Sequence, residues 1–96
     1  MRNIEMSQFG STLTDREDGK RAALSILECT PPPLQLDFAG VMALGSSFGE
    51  EVVLSIAKNQ GDTVTILNAS NIVRNSLYRI AEGTSIHLSF EVQARP

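Results

Sequence analysis

A chain of 96 residues, 42% apolar and 20% charged, has room for one small domain and the composition of a folded one, which excludes a disordered polymer. Its apolar runs fall short of the roughly 20 residues a membrane-spanning helix needs. The mixed-charge start Met1-Arg2-Asn3-Ile4-Glu5 lacks the apolar stretch of a secretory leader.

Eight basic against eleven acidic residues give a formal charge of −3, and the positives are scattered, which argues against a nucleic-acid surface. Cys29 is the single cysteine, so no internal disulfide can form and a cytoplasmic protein is expected.

Taken in chain order, Ile4 and Met6 predict a short strand running toward Phe9. Thr14 with Glu17 makes a capping box for a helix whose apolar stripe is Ala23, Leu24 and Leu27, with Gly19 counting against its first turn. Thr30-Pro31-Pro32-Pro33 stops that helix, because proline fixes φ and removes a donor. Leu34-Gln35-Leu36-Asp37-Phe38 alternates as a half-buried strand does, and Gly40 turns the chain. A second capping box, Ser47-Phe48-Gly49-Glu50, heads a helix with Phe48, Val52, Val53 and Ile56 at helical spacing, where Phe48 either packs inside or is exposed as an aromatic anchor.

Gly61-Asp62 ends that helix and opens a strand from Thr63 to Leu67, with Val64 and Ile66 on one face. Asn68 or Ser70 caps a third helix carrying Ile72, Val73, Leu77 and Ile80, closed by Gly83. The last strand sets Ile86, Leu88, Phe90 and Val92 against Ser85, His87, Ser89 and Glu91. As an edge it would let Phe90 and Val92 meet a second copy, so a homodimer is among the expected assemblies.

The order β-α-β-α-β-α-β predicts an α/β fold. Each strand is apolar on one side only, the other offering Gln35, Asp37, Thr63, Thr65, His87 and Ser89. The expected architecture is therefore two layers in a single domain over 1–96: four to five mixed strands, with three helices mainly on one face and the other face open.

Residues that could carry chemistry have simpler explanations. Gly40 to Ser47 is spaced like a phosphate-binding loop, yet Ser46 stands where the lysine must be. Asp15-Arg16-Glu17-Asp18-Gly19 lacks the alternating ligands of a calcium loop and reads as a solvated helix start. His87 has no second histidine or cysteine pair to hold zinc, and reads as a polar-face strand residue. Cys29, beside Glu28, reads as packing at a helix end. Asn68-Ala69-Ser70 is a glycosylation sequon explained by capping, and Glu50-Glu51 point about 100° apart on a helix. No catalytic constellation and no cofactor or metal site is expected. Ser46 and Ser47 sit where backbone N–H groups and the helix dipole would stabilise an added phosphate, and the simpler reading of Ser47 is a helix cap.

Leu36-Asp37-Phe38-Ala39-Gly40-Val41 followed by Ser46-Ser47-Phe48-Gly49-Glu50-Glu51 resembles the STAS-like family of unknown function. Phe9-Gly10, Thr14-Asp15-Arg16-Glu17 and Asn68-Ala69 extend the likeness over roughly residues 9 to 80. That family is similar to STAS domains, the fold of bacterial anti-sigma factor antagonists, in which a serine at a helix start is phosphorylated by an ATP-binding anti-sigma kinase. The resemblance implies Ser47 as phosphoacceptor with Ser46 beside it. It also implies a partner-binding surface at Gly45, Phe48, Glu50 and Glu51. Gly45 replaces the antagonists' Asp and Phe48 their Gly, two departures from the pattern.

The expected function is thus a non-enzymatic regulatory module that binds a protein partner, an anti-sigma-type kinase, in a partner-switching system controlled at Ser47. The alternative is a phosphorylation-independent interaction protein, an oligomeric scaffold or a small inhibitor from a mobile element. It would bind through its polar sheet face, and its binding would respond to Asp37 or Glu91.

Overall fold

The computed structural model describes residues 1–92; positions 93–96, which the single-domain expectation includes, lie outside the described residues. The elements in order are β1 (Arg2–Glu5), a 3-10 turn (Met6–Phe9), β2 (Thr12–Leu13), α1 (Arg16–Cys29), β3 (Leu34–Asp37) and β4 (Ala43–Leu44). Then come α2 (46–58), β5 (Thr63–Leu67), α3 (Asn71–Ala81) and β6 (His87–Glu91).

The main sheet has the order β1-β3-β5-β6, and every pairing in it is parallel, where mixed strands were expected. Each strand reaches the next through a helix, and such a crossover returns the chain to the end it started from. All the steps run the same way across the sheet, so right-handed crossovers place the three helices on one face. The result is the expected two-layer α/β architecture. A separate parallel pair, β2 with β4, was not foreseen.

The core lies between the layers. Ile4, Leu34, Leu36, Val64 and Ile66 of the sheet meet Ala22, Ala23 and Ile26 of α1, Phe48, Val52, Val53 and Ile56 of α2, and Val73, Leu77 and Ile80 of α3. On the opposite face the register aligns Asn3, Gln35, Thr65 and Ser89 in one row, with Thr63 beside His87 in another.

Several local expectations shift. Asp15, not Thr14, caps α1, its carboxylate accepting from the Asp18 N–H at 2.9 Å. The buried stripe of α1 is Gly19, Ala22, Ala23 and Ile26, leaving Leu24 exposed. Ile72 is also exposed, because the inward positions of α3 are Val73, Leu77 and Ile80. Cys29, at the very end of α1, is exposed rather than packed. Ser70 caps α3 through the Val73 N–H at 3.2 Å, while Asn68 adopts a left-handed φ of 56° and turns its amide to Asp37.

Gly19 has a packing reason to be glycine. A Cβ there would stand 2.9 Å from both Cα and the carbonyl oxygen of Phe48 and 3.1 Å from Cβ of Glu51. Its absence lets α1 and α2 approach backbone to backbone. α2 is itself unusual, since a π turn over Glu50–Leu54 lies between the α-helical segments Ser46–Gly49 and Ser55–Lys58. Its buried residues come in adjacent pairs, 48/49, 52/53 and 56/57. A repeat of four residues drifts about 40° per step around an ordinary α-helix, and the wider π turn brings the pairs back over the core.

Candidate functional site

The candidate site is the start of α2, and its geometry follows from the β2–β4 pair. Gly45 leaves β4 still extended, φ −85° and ψ 154°, with its N–H donating to the Leu13 carbonyl at 2.7 Å. A Cβ on Gly45 would come within 3.1 Å of Cα of Thr14, so the loops preceding α1 and α2 touch here. The ladder therefore sets where helix can begin, and Gly45 becomes the N-cap. Ser46 and Ser47 are the first and second residues of the first turn, which puts Ser47 two positions past the N-cap that its capping box with Glu50 requires.

That overturns the capping role expected of Ser47. No side chain caps α2, and among the described residues neither serine hydroxyl makes a hydrogen bond. Ser46 is exposed and Ser47 half-buried. The N–H groups of a helix's first turn lack intrahelical acceptors and carry the positive end of its dipole. Removing a cap costs about 1 kcal/mol, so Ser70→Ala is expected to lose that much in a urea melt. Ser47→Ala and Ser46→Ala are expected to stay within about 0.5 kcal/mol of the parent. A Ser47 loss equal to that of Ser70 would return it to a capping role.

Phe48 is 1% exposed and belongs to the core, so its side chain cannot belong to a contact surface as expected. Gly49 beside it faces Cδ1 of Ile80 on α3. Together they fasten the first turn of α2 to the helices on either side and leave the serines on the rim.

Glu50 and Glu51, expected to be free for a partner, are both engaged by Arg16 at the start of α1. Nη2 of Arg16 donates to Oε1 of Glu50 at 3.0 Å and Nη1 to Oε2 of Glu51 at 2.6 Å. Adjacent carboxylates that point apart are thus gathered by one planar guanidinium, whose fork suits two acceptors. The bonds from Glu50 and then Glu51 raise the Arg16 pKa above its ordinary value. The ion pairs lie at the surface, and the single guanidinium offsets one of the two carboxylate charges on this flank.

Met42, 71% exposed in the loop before β4, was missed. Nothing in the sequence around it marks it as a surface residue. Asp37 is 2% exposed at the end of β3, its Oδ1 accepting from the Ala39 N–H at 2.9 Å and from the Asn68 amide at 3.1 Å. It ties the ends of β3 and β5 together and is unavailable on the polar face. Beside α1 an open groove of about 390 Å³ is lined by Phe9, Asp18, Arg21, Ala22, Ser25 and Phe48. Its charged rim is the Asp18–Arg21 ion pair on the surface of α1.

The one-way strand order leaves the described sheet without the reversal point at which open α/β sheets form their ligand crevice. Among the described residues no helix is long and apolar enough to cross a membrane. Set against family models, curated proteins and solved structures, the chain matches none.

Proposed function

We propose that this chain is a non-enzymatic regulatory module that binds a protein partner through the start of α2 and is switched by a phosphate on Ser47. The observation that carries the reading is the free hydroxyl of Ser47 on the first turn of a helix whose dipole and unpaired N–H groups favour an added anion. The likeness of Leu36 to Val41 and Ser46 to Glu51 to the STAS-like pattern supports it, and with it an anti-sigma-type kinase as partner.

The contact surface in this reading is Ser46, Ser47 and the rim of Gly45, with exposed Met42 as its apolar component. The γ-phosphoryl group of ATP held by the partner passes to Oγ of Ser47: its bond to the β–γ bridging oxygen breaks, ADP leaves, and the hydroxyl proton goes to solvent. It brings about −1.5 to −2 charges to one spot. Those charges fall one helical turn from Glu50 and Glu51, so the phosphate competes with them for Arg16. A partner surface built for a neutral hydroxyl is then repelled.

The test compares three baits, the parent, Ser47→Ala and Ser47→Asp, with mass-spectrometric mapping of phosphate after incubation with captured protein and ATP. The expected result is a kinase-like partner retained by the parent and by Ser47→Ala and lost with Ser47→Asp, with phosphate on Ser47. Equal capture by Ser47→Ala and Ser47→Asp would remove the switch.

The uncovered row Asn3, Gln35, Thr65 and Ser89 favours a second reading, a phosphorylation-independent interaction protein that binds through the open sheet face. Salt-sensitive binding that ignores Ser47 and responds to Glu91 would support it.

A further inference from the structure

The outer edge of β6 is the place where the described molecule is least finished. Among the described residues β6 is hydrogen-bonded to β5 alone and ends the sheet. Its five residues, His87-Leu88-Ser89-Phe90-Glu91, contain none of the proline or lysine that proteins use to blunt an exposed edge. Val92, immediately after it, is 81% exposed.

The backbone directions are fixed by two bonds to the β5 side: the His87 N–H donates to the Asp62 carbonyl at 2.7 Å, and the Glu91 carbonyl accepts from the Asn68 N–H at 3.0 Å. Backbone groups alternate sides along a strand. Those of His87, Ser89 and Glu91 therefore face β5, and those of Leu88 and Phe90 face outward. An incoming strand must satisfy Leu88 and Phe90.

We infer that the occupant of this edge is a second copy of the chain, its β6 antiparallel to the first about a two-fold axis at Ser89. In that register Leu88 lies opposite the partner's Phe90 and exchanges both backbone hydrogen bonds with it, as outward-facing groups require. Ser89 faces the partner's Ser89. His87 lies opposite the partner's Glu91, and both side chains are exposed on the open face. These are non-hydrogen-bonded pairs, the class in which facing side chains stand closest. The imidazole N–H can thus donate to the carboxylate on each side of the axis.

On the helix-covered face the half-buried Ile86 lies opposite the partner's exposed Val92, covering it. Sliding either strand by two residues destroys the His87–Glu91 match. One segment therefore complements itself in backbone, charge and apolar contact in a single register, as a closed two-fold interface demands. The sheets of both copies become continuous and the helices of both stay on the same side. The start of α2 takes no part, so the dimer stands independently of the proposed switch.

The test is sedimentation of the full chain across a concentration series, with circular dichroism to check that each variant is folded. The parent is expected to dimerise. Ser89→Lys sets ammonium against ammonium at the axis, and His87→Glu sets carboxylate against carboxylate. Each is expected to weaken the dimer at least tenfold while leaving the β5–β6 ladder intact. The double variant His87→Glu with Glu91→His exchanges the partners of one register and is expected to recover most of the loss. A parent that stays monomeric up to millimolar concentration overturns the inference. So does a dimer that Ser89→Lys leaves unchanged, or a double variant no better than His87→Glu.

Discussion

Truncating Phe48 to alanine is expected to remove about 3–5 kcal/mol of stability, the range for deleting a fully buried aromatic side chain from a core. A domain of this size has only about 5–15 kcal/mol to lose. The midpoint of thermal unfolding should therefore fall by roughly 15–30 °C. The ring is 1% exposed and sits in the one core cluster joining the sheet to the helices, and Phe48→Leu, which keeps most of the volume, should lose less than half as much. A residue anchoring a partner would do the reverse, leaving the melt unchanged and abolishing binding. Paired thermal melts and binding measurements on Phe48→Ala and Phe48→Leu separate the two.

Gly19→Ala is expected to destabilise, although alanine in place of glycine within a helix ordinarily gains about 1 kcal/mol. The new methyl would lie 2.9 Å from the Phe48 backbone, and backbone cannot step aside as a side-chain end can. α1 must then move away from α2, and overpacking of this kind costs about 1–3 kcal/mol. The net loss is expected near 1 kcal/mol for Gly19→Ala and larger for Gly19→Val. Chemical denaturation checks the sign, and a gain in stability for Gly19→Ala would show that the helices have slack between them. The Arg16 bridges to Glu50 and Glu51 span the same interface, so Gly19→Val should also loosen them.

How much was legible in the sequence differs from element to element. The strand 34–38 was visible because alternation of apolar and polar residues has a period of two, and Leu34 and Leu36 are buried as that period requires. Phe48, Val52, Val53 and Ile56 stand at helical spacing in the sequence, which marks a helix but not the π turn within it. The pairs at 48/49, 52/53 and 56/57 held that signal, since their spacing is closer to four than to 3.6 residues. Leu24 and Ile72 were assigned inward because they are apolar and near the stripe; each lies about 100° from the true one. β2 and β4 are two residues each, too short for any periodicity.

The candidate site was found by sequence and misread in detail. Ser47 and Glu50 have capping-box spacing, but a cap forms only where the preceding backbone is extended and the helix begins. The Gly45 N–H bond to Leu13 decides that place, and it lies across the chain from a residue 32 positions away. The pairing of Glu50 and Glu51 with Arg16, 34 and 35 positions distant, is equally invisible to local spacing.

The sequence by itself determined the order of the helices and the four main-sheet strands, the apolar side of those strands and the serine pair at a helix start. Those properties depend on short-range periodicity and on backbone preferences of a few neighbouring residues. Only the tertiary structure decided that all paired strands are parallel, that Phe48 is core, that Gly45 is the cap and that β6 is an edge. Each of these depends on which distant segment lies alongside, and that is set by closing the whole chain around one core.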